Sequence, residues 1–163
     1  MKSDQAANKR GIVDVGTVLV RWLLGVLFVY MGLSKALDPV EFLKLVREYD
    51  LTHTSWLLNS IAALLPWFEV FCGLLLLTGV AVRGAALMLI LMLVPFTVLV
   101  FQRALDIQSA QAIAFCAVKF DCGCGAGEVF ICRKLAENFF LTALAAWLMT
   151  GRGRIFCARF RLI

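Results

Sequence analysis

The chain has 163 residues, of which 62% are hydrophobic and 17% charged, and its mean hydropathy is +0.89. A soluble domain of this size is about half apolar and about a quarter charged, and the excess here falls in long runs, the mark of membrane-spanning helices rather than a water-soluble core. The net charge of +5 comes from basic residues that flank those runs. They form no stripe interleaved with exposed aromatics, which excludes nucleic acid as an expected partner.

The first apolar run, 12–34, follows Lys9 and Arg10. It is too long for the apolar stretch of a signal peptide, and no small-x-small cleavage site follows, so it reads as a retained helix. Within 38–50, Val40, Phe42, Leu43, Leu45 and Val46 alternate with Glu41, Lys44, Arg47 and Glu48. That spacing predicts a short amphipathic helix at the membrane interface, capped by Asp38 with Pro39 at its first position. The second run, 56–78, is joined to the third, 83–101, through Val80 and Ala81 near Gly79 and Gly84, which predicts an antiparallel helical hairpin. A long polar loop, 102–134, then leads to a short fourth run, 135–150. The expected architecture is an all-α membrane protein: one integral domain over 1–163, a four-transmembrane-helix bundle with a short outer interfacial helix and a cysteine-containing outer loop.

Four spans put both termini on one side. That side carries Lys2, Lys9, Arg10, Arg83, Arg152, Arg154, Arg159 and Arg161. The other carries Lys35, Lys44, Arg47, Arg103, Lys119, Arg133 and Lys134. The totals barely differ, but the first set lies in shorter segments close to the helix ends, where basic residues set orientation. Both termini are therefore expected in the cytoplasm and both long loops outside.

Cys116, Cys122, Cys124 and Cys132 all fall in the second outer loop, while Cys72 lies inside the second span and Cys157 in the cytoplasmic tail. Cys122-Gly123-Cys124 is the most telling feature. Two thiols across one residue can bridge only if the backbone turns sharply, and glycine permits that turn. A bridge over so short a loop removes almost no chain entropy, so it stabilises little and suits exchange better than stapling. Cys132 has two uses open to it: to exchange with this pair, or to bridge Cys116. The nearby cations Lys119 and Arg133 are candidates to favour a thiolate. A Cys₃His metal set from Cys122, Cys124, Cys132 and His53 fits no common zinc spacing, so no metal is expected.

Two charges lie within the spans, Arg21 and Glu69. Counted from the cytoplasmic ends of their runs they sit at similar depth, which predicts an intramembrane pair, either structural or serving a proton or quinone site. Lys35, at the outer end of the first span, is expected to snorkel or to pair with Asp38 or Glu41.

Arg21-Trp22-Leu23-Leu24-Gly25 with Phe28, Met31-Gly32, Lys35 and Asp38-Pro39 resembles the DoxX-like superfamily. So do Leu65-Pro66-Trp67-Phe68-Glu69 and Cys122-Gly123-Cys124-Gly125. Within it the order of motifs is most similar to the branch of the methylamine-utilisation protein MauE, over about residues 17–150. Gly125 stands where the family pattern has Phe, and Cys132 has no counterpart in the pattern. The resemblance implies a four-helix bundle in the bacterial inner membrane. It further implies a role in disulfide formation or thiol transfer for periplasmic redox proteins, beside a thioredoxin-like partner; DoxX-like relatives have been linked to sulfur metabolism and quinone reduction. The expected function is thus a membrane thiol–disulfide redox protein in which Cys122, Cys124 and Cys132 react, with Glu69 and Arg21 beside a quinone if one binds. The competing readings are an accessory subunit of a larger membrane complex and a small-molecule carrier using Arg21 and Glu69.

Overall fold

A computed structural model of the chain describes residues 2–48, 54–122 and 127–150. In chain order it contains α1 (Lys2–Leu37), α2 (Pro39–Glu48), α3 (Ser55–Thr78), α4 (Val82–Gln111), a 3₁₀ turn (Phe115–Ala117), strands β1 (Lys119–Asp121) and β2 (Glu128–Phe130), and α5 (Ile131–Thr150). Among the described residues, three helices are long and apolar enough to cross a membrane: Asp14–Leu37 of α1, Trp56–Thr78 of α3 and Val82–Gln111, the whole of α4. The fourth expected span corresponds to α5, whose first two turns carry Arg133, Lys134 and Glu137. Those charges keep it out of the apolar class, although it packs in the same bundle. One core cluster draws Leu24 and Phe28 from α1, Cys72 and Leu76 from α3, Ala85, Ala86, Leu89 and Leu93 from α4, and Ala145 and Leu148 from α5. Trp22, Tyr30, Trp67, Phe71, Phe139 and Trp147 instead point outward, as lipid-facing side chains do.

The closest packing joins α1 to α3. A Cβ on Gly32 would stand 2.6 Å from the Pro66 carbonyl oxygen, and one on Gly73 would stand 2.8 Å from the Gly25 carbonyl oxygen. Backbones this close leave no room for any side chain, so the glycines fix both the spacing and the register. Because Gly25 meets Gly73 and Leu77 while Gly32 meets Pro66 and Val70, the helices run antiparallel. In this register α1 ends, at Leu37, level with about Ala63, early in the third turn of α3. The first turns of α3 thus extend beyond α1 by roughly 10 Å. Amphipathic α2 fills the step, packing Phe42 and Val46 on Leu58 and Ala62. The Asp38 carboxylate accepts the Glu41 N–H at 3.2 Å, so α2 begins as its sequence predicts.

At the other end of α3, Gly79 adopts φ 74 and its N–H reaches back to the Leu75 and Leu76 carbonyls, closing the helix before Gly79–Ala81 turn the chain into α4. The antiparallel hairpin is as the sequence predicts. The loop that follows is not. Helix α4 continues ten residues past the apolar run to Gln111, and the polar stretch beyond it folds into the 3₁₀ turn and an antiparallel β1–β2 hairpin. Polarity marks where the chain leaves the membrane; it does not mark where the helix stops. Residues 102–111 remain good helix formers with no Gly or Pro among them.

Candidate functional site

The β-hairpin is anchored at its root, and Cys122, the residue after β1, is turned inward. Register pairs Lys119 with Phe130, Phe120 with Val129 and Asp121 with Glu128. At the root, the Ile131 N–H donates to the Val118 carbonyl at 3.2 Å, and Cys116 on the 3₁₀ turn is bridged to Cys132 on the first turn of α5. Their Cα atoms lie 5.1 Å apart, within the ordinary range for a disulfide. Of the two uses open to Cys132, the structure therefore shows the bridge to Cys116. Continuing the strand register puts this bridge about five residues, roughly 16 Å, from Cys122.

Cys122 follows β1 at the hairpin tip and is 1% exposed. It packs with Val100, Ala104, Val118 and Ile131. This corrects the expectation that the thiol pair lies open in a solvated loop: Cys122 is buried. Cys124 lies outside the described residues, as do His53 and Cys157. The two cations nominated as thiolate partners are engaged elsewhere. Lys119 stacks over the Phe130 ring at 4.2 Å, directly across the strand pair, and the Arg133 guanidinium donates to Glu137 at 2.9 Å.

The wall that Cys122 joins belongs to a cavity of about 320 Å³. Phe28, Met31 and Lys35 of α1 line it, with Phe42, Leu45 and Val46 of α2 and Ile61, Leu65 and Glu69 of α3. Helix α4 adds the stretch around Pro95 and Phe96, and α5 adds Asn138. Among the described residues the surroundings are apolar except at three points: the Cys122 thiol, the Asn138 amide and an ion pair. Asn138 is 1% exposed and donates to the Thr97 hydroxyl at 3.1 Å.

The ion pair is Lys35 with Glu69. The Lys35 ammonium donates to both carboxylate oxygens, at 2.6 and 2.7 Å, and also stands 5.5 Å from the Phe42 ring centre. Both side chains are over nine-tenths buried. Two expectations are corrected here. Lys35 neither snorkels to the membrane surface nor turns to Asp38 or Glu41, because α1 ends short of the first turns of α3 and α2 closes over it. Nor does Glu69 pair with Arg21. The glycine register puts Arg21 level with Gly79, about ten residues or 15 Å along the bundle from Glu69. The apolar run of α1 starts well beyond the end of α3, so equal counts from the run ends do not mean equal depth. Arg21 is itself 3% exposed, at the end of the bundle that holds the α3–α4 turn.

Sequence reading missed Lys35 as a partner, Asn138 and the cavity. One signal for Lys35 was present: it follows Gly32 by one helical turn, so whatever faces Gly32 across the interface lies within reach of a lysine side chain. Nothing in the sequence marks Asn138, which needs the α4–α5 packing to bring Thr97 beside it.

Apolar helices around a buried thiol, an amide and an ion pair define a multi-pass membrane protein with a chemically equipped interior. The profile of the family described as "Methylamine utilisation protein MauE" matches residues 13–151, and the chain belongs to that family. No curated protein and no solved structure gives a significant match.

Proposed function

We propose that this protein is a membrane thiol–disulfide redox protein that carries disulfides or electrons between a periplasmic thioredoxin-like partner, or a client protein, and the membrane. Cys122 and Cys124 are the exchanging pair. The observation that carries this reading is the burial of Cys122 in the wall of a cavity whose other polar groups, among the described residues, are the Lys35–Glu69 pair and Asn138. A structural cysteine needs no such neighbours, whereas a thiol that cycles must exchange protons and meet an electron acceptor. The architecture that goes with this function has α5 as a fourth span, both termini in the cytoplasm of a bacterium, and the hairpin end facing the periplasm. Cys132, bridged to Cys116, holds the root of the hairpin.

The cavity also suits a quinone as the membrane-side acceptor. Its apolar walls fit a ring with a hydrocarbon tail, and the Lys35 ammonium and the Asn138 amide are the groups that would hold ring oxygens.

The test is thiol trapping of purified protein equilibrated across a series of glutathione redox buffers. A Cys122/Cys124 pair that interconverts at an intermediate potential, with the Cys116–Cys132 bridge unchanged, is the expected result. A pair that stays in one state throughout the series would replace this reading with that of an accessory subunit.

A further inference from the structure

Cys122 is buried in the wall of a cavity, yet an exchanging thiol must release and regain a proton. Resting on the redox reading above, we propose that the Lys35–Glu69 pair is the proton-exchange group of Cys122. The Glu69 carboxylate takes the thiol proton as Cys122 becomes a thiolate and returns it when Cys122 leaves a disulfide. Lys35 donates to both oxygens of that carboxylate and holds it at the cavity wall.

The groups facing the cavity narrow the choice. From α1 comes Lys35; from α3, Glu69; from the hairpin, Cys122 itself. Helix α2 contributes Phe42, Leu45 and Val46, α5 contributes the neutral Asn138, and α4 contributes only apolar chains. Among the described residues that line this space, Glu69 is therefore the one carboxylate. An ammonium already holding its protons cannot accept another, so the acceptor is Glu69 and not Lys35. The energetics agree. A buried ion pair is at best weak support for a fold, because an apolar pair of similar volume is often as stable or more so. Its presence in the same cavity wall as a buried thiol calls for a use beyond packing.

The step balances simply. Cys122 S–H and the Glu69 carboxylate become thiolate and carboxylic acid. The thiolate then attacks one sulfur of a disulfide, forming a new S–S bond, and the other sulfur departs as a thiolate that takes the electron pair. The proton on Glu69 remains available to that leaving group or to the next cycle.

The experiment uses the full chain in detergent or nanodiscs, with Cys72→Ala, Cys124→Ser and Cys157→Ser, so that Cys122 is the one reactive thiol beside the intact Cys116–Cys132 bridge. The probe is 4,4′-dithiodipyridine, a small apolar disulfide, and the thiopyridone released is followed by absorbance across pH. Adding Glu69→Gln is expected to slow the reaction at pH 7 at least tenfold and to move its rise to higher pH, a modest general-base effect. The sign is diagnostic. If Glu69 were only a nearby negative charge, removing it would favour the thiolate and speed the reaction. Glu69→Asp should recover part of the rate. Should Glu69→Gln fold poorly, Lys35→Met with Glu69→Met removes the base without leaving a lone charge and should be slowed to the same degree. An unchanged or faster reaction in a folded variant overturns the proton role and leaves the redox function standing. A parent protein that does not react at any pH overturns both.

Discussion

Removing the Lys35 ammonium should destabilise the fold far more than removing an ordinary polar contact. Lys35→Met leaves the Glu69 carboxylate, with 8% side-chain exposure, without the donor that now meets both of its oxygens. Breaking one partner of a buried ion pair costs about 3–5 kcal/mol. In a chain of this size each kcal/mol corresponds to about 2–4 °C, so the expected fall in Tm is roughly 6–20 °C. A neutral polar contact between membrane helices averages about 0.6 kcal/mol, roughly 1–2 °C on the same scale, so the two accounts separate cleanly. Lys35→Met with Glu69→Met should recover most of the loss, since two apolar chains then fill the volume. Arg21→Met, at a level about 15 Å away, should combine additively with Glu69→Met. The assay is thermal unfolding followed by intrinsic tryptophan fluorescence in one detergent. Single variants that each lose less than about 2 °C, or a double variant that simply sums the two losses, would refute the reasoning.

Three further outcomes are expected. Gly32→Val should fail to yield monodisperse protein in size-exclusion chromatography, because its Cβ alone would lie 2.6 Å from a backbone oxygen of α3, whereas Gly84→Ala, with nothing within 4 Å, should behave as the parent does. Replacing Cys116 and Cys132 together with serine removes a cross-link between residues 16 apart and should lower stability by about 3 kcal/mol at most while leaving the Cys122 thiol reactive; complete loss of that reactivity in a folded variant would mean that the bridge takes part in the chemistry. In the folded protein, N-ethylmaleimide should label Cys122 faster than a polyethylene-glycol maleimide by at least tenfold, read by intact mass, and equal rates would show that the thiol is not enclosed.

The membrane class, the helical hairpin at Gly79–Ala81 and the start of α2 at Asp38-Pro39 were legible because each rests on local chemistry: long apolar runs, a glycine at a helix end, an acidic cap before a proline. What failed was depth. Hydropathy gives the order of spans but not how far one slides along the next. Here the slide is set by Gly25, Gly32 and Gly73, whose meaning appears only once two backbones touch. That one offset misassigned the partner of Glu69 and sent Lys35 to the wrong surroundings. The Cys-Gly-Cys motif pointed to the right segment, but its polarity suggested exposure. The Val118, Phe120 and Val129 side chains that draw the hairpin inward are too few to register as an apolar run.

The bundle is built as two tight couples, α1 with α3 and α4 with α5, and the cavity lies on the seam between them. Lys35 and Glu69 both belong to the first couple. Cys122 hangs from the second, on the hairpin that joins α4 to α5. Acid and thiol are thus mounted on different couples, and the packing of one couple on the other sets the gap between them. A small slide of one couple past the other would retune the gap between them while every glycine contact, the ion pair and the disulfide stayed intact.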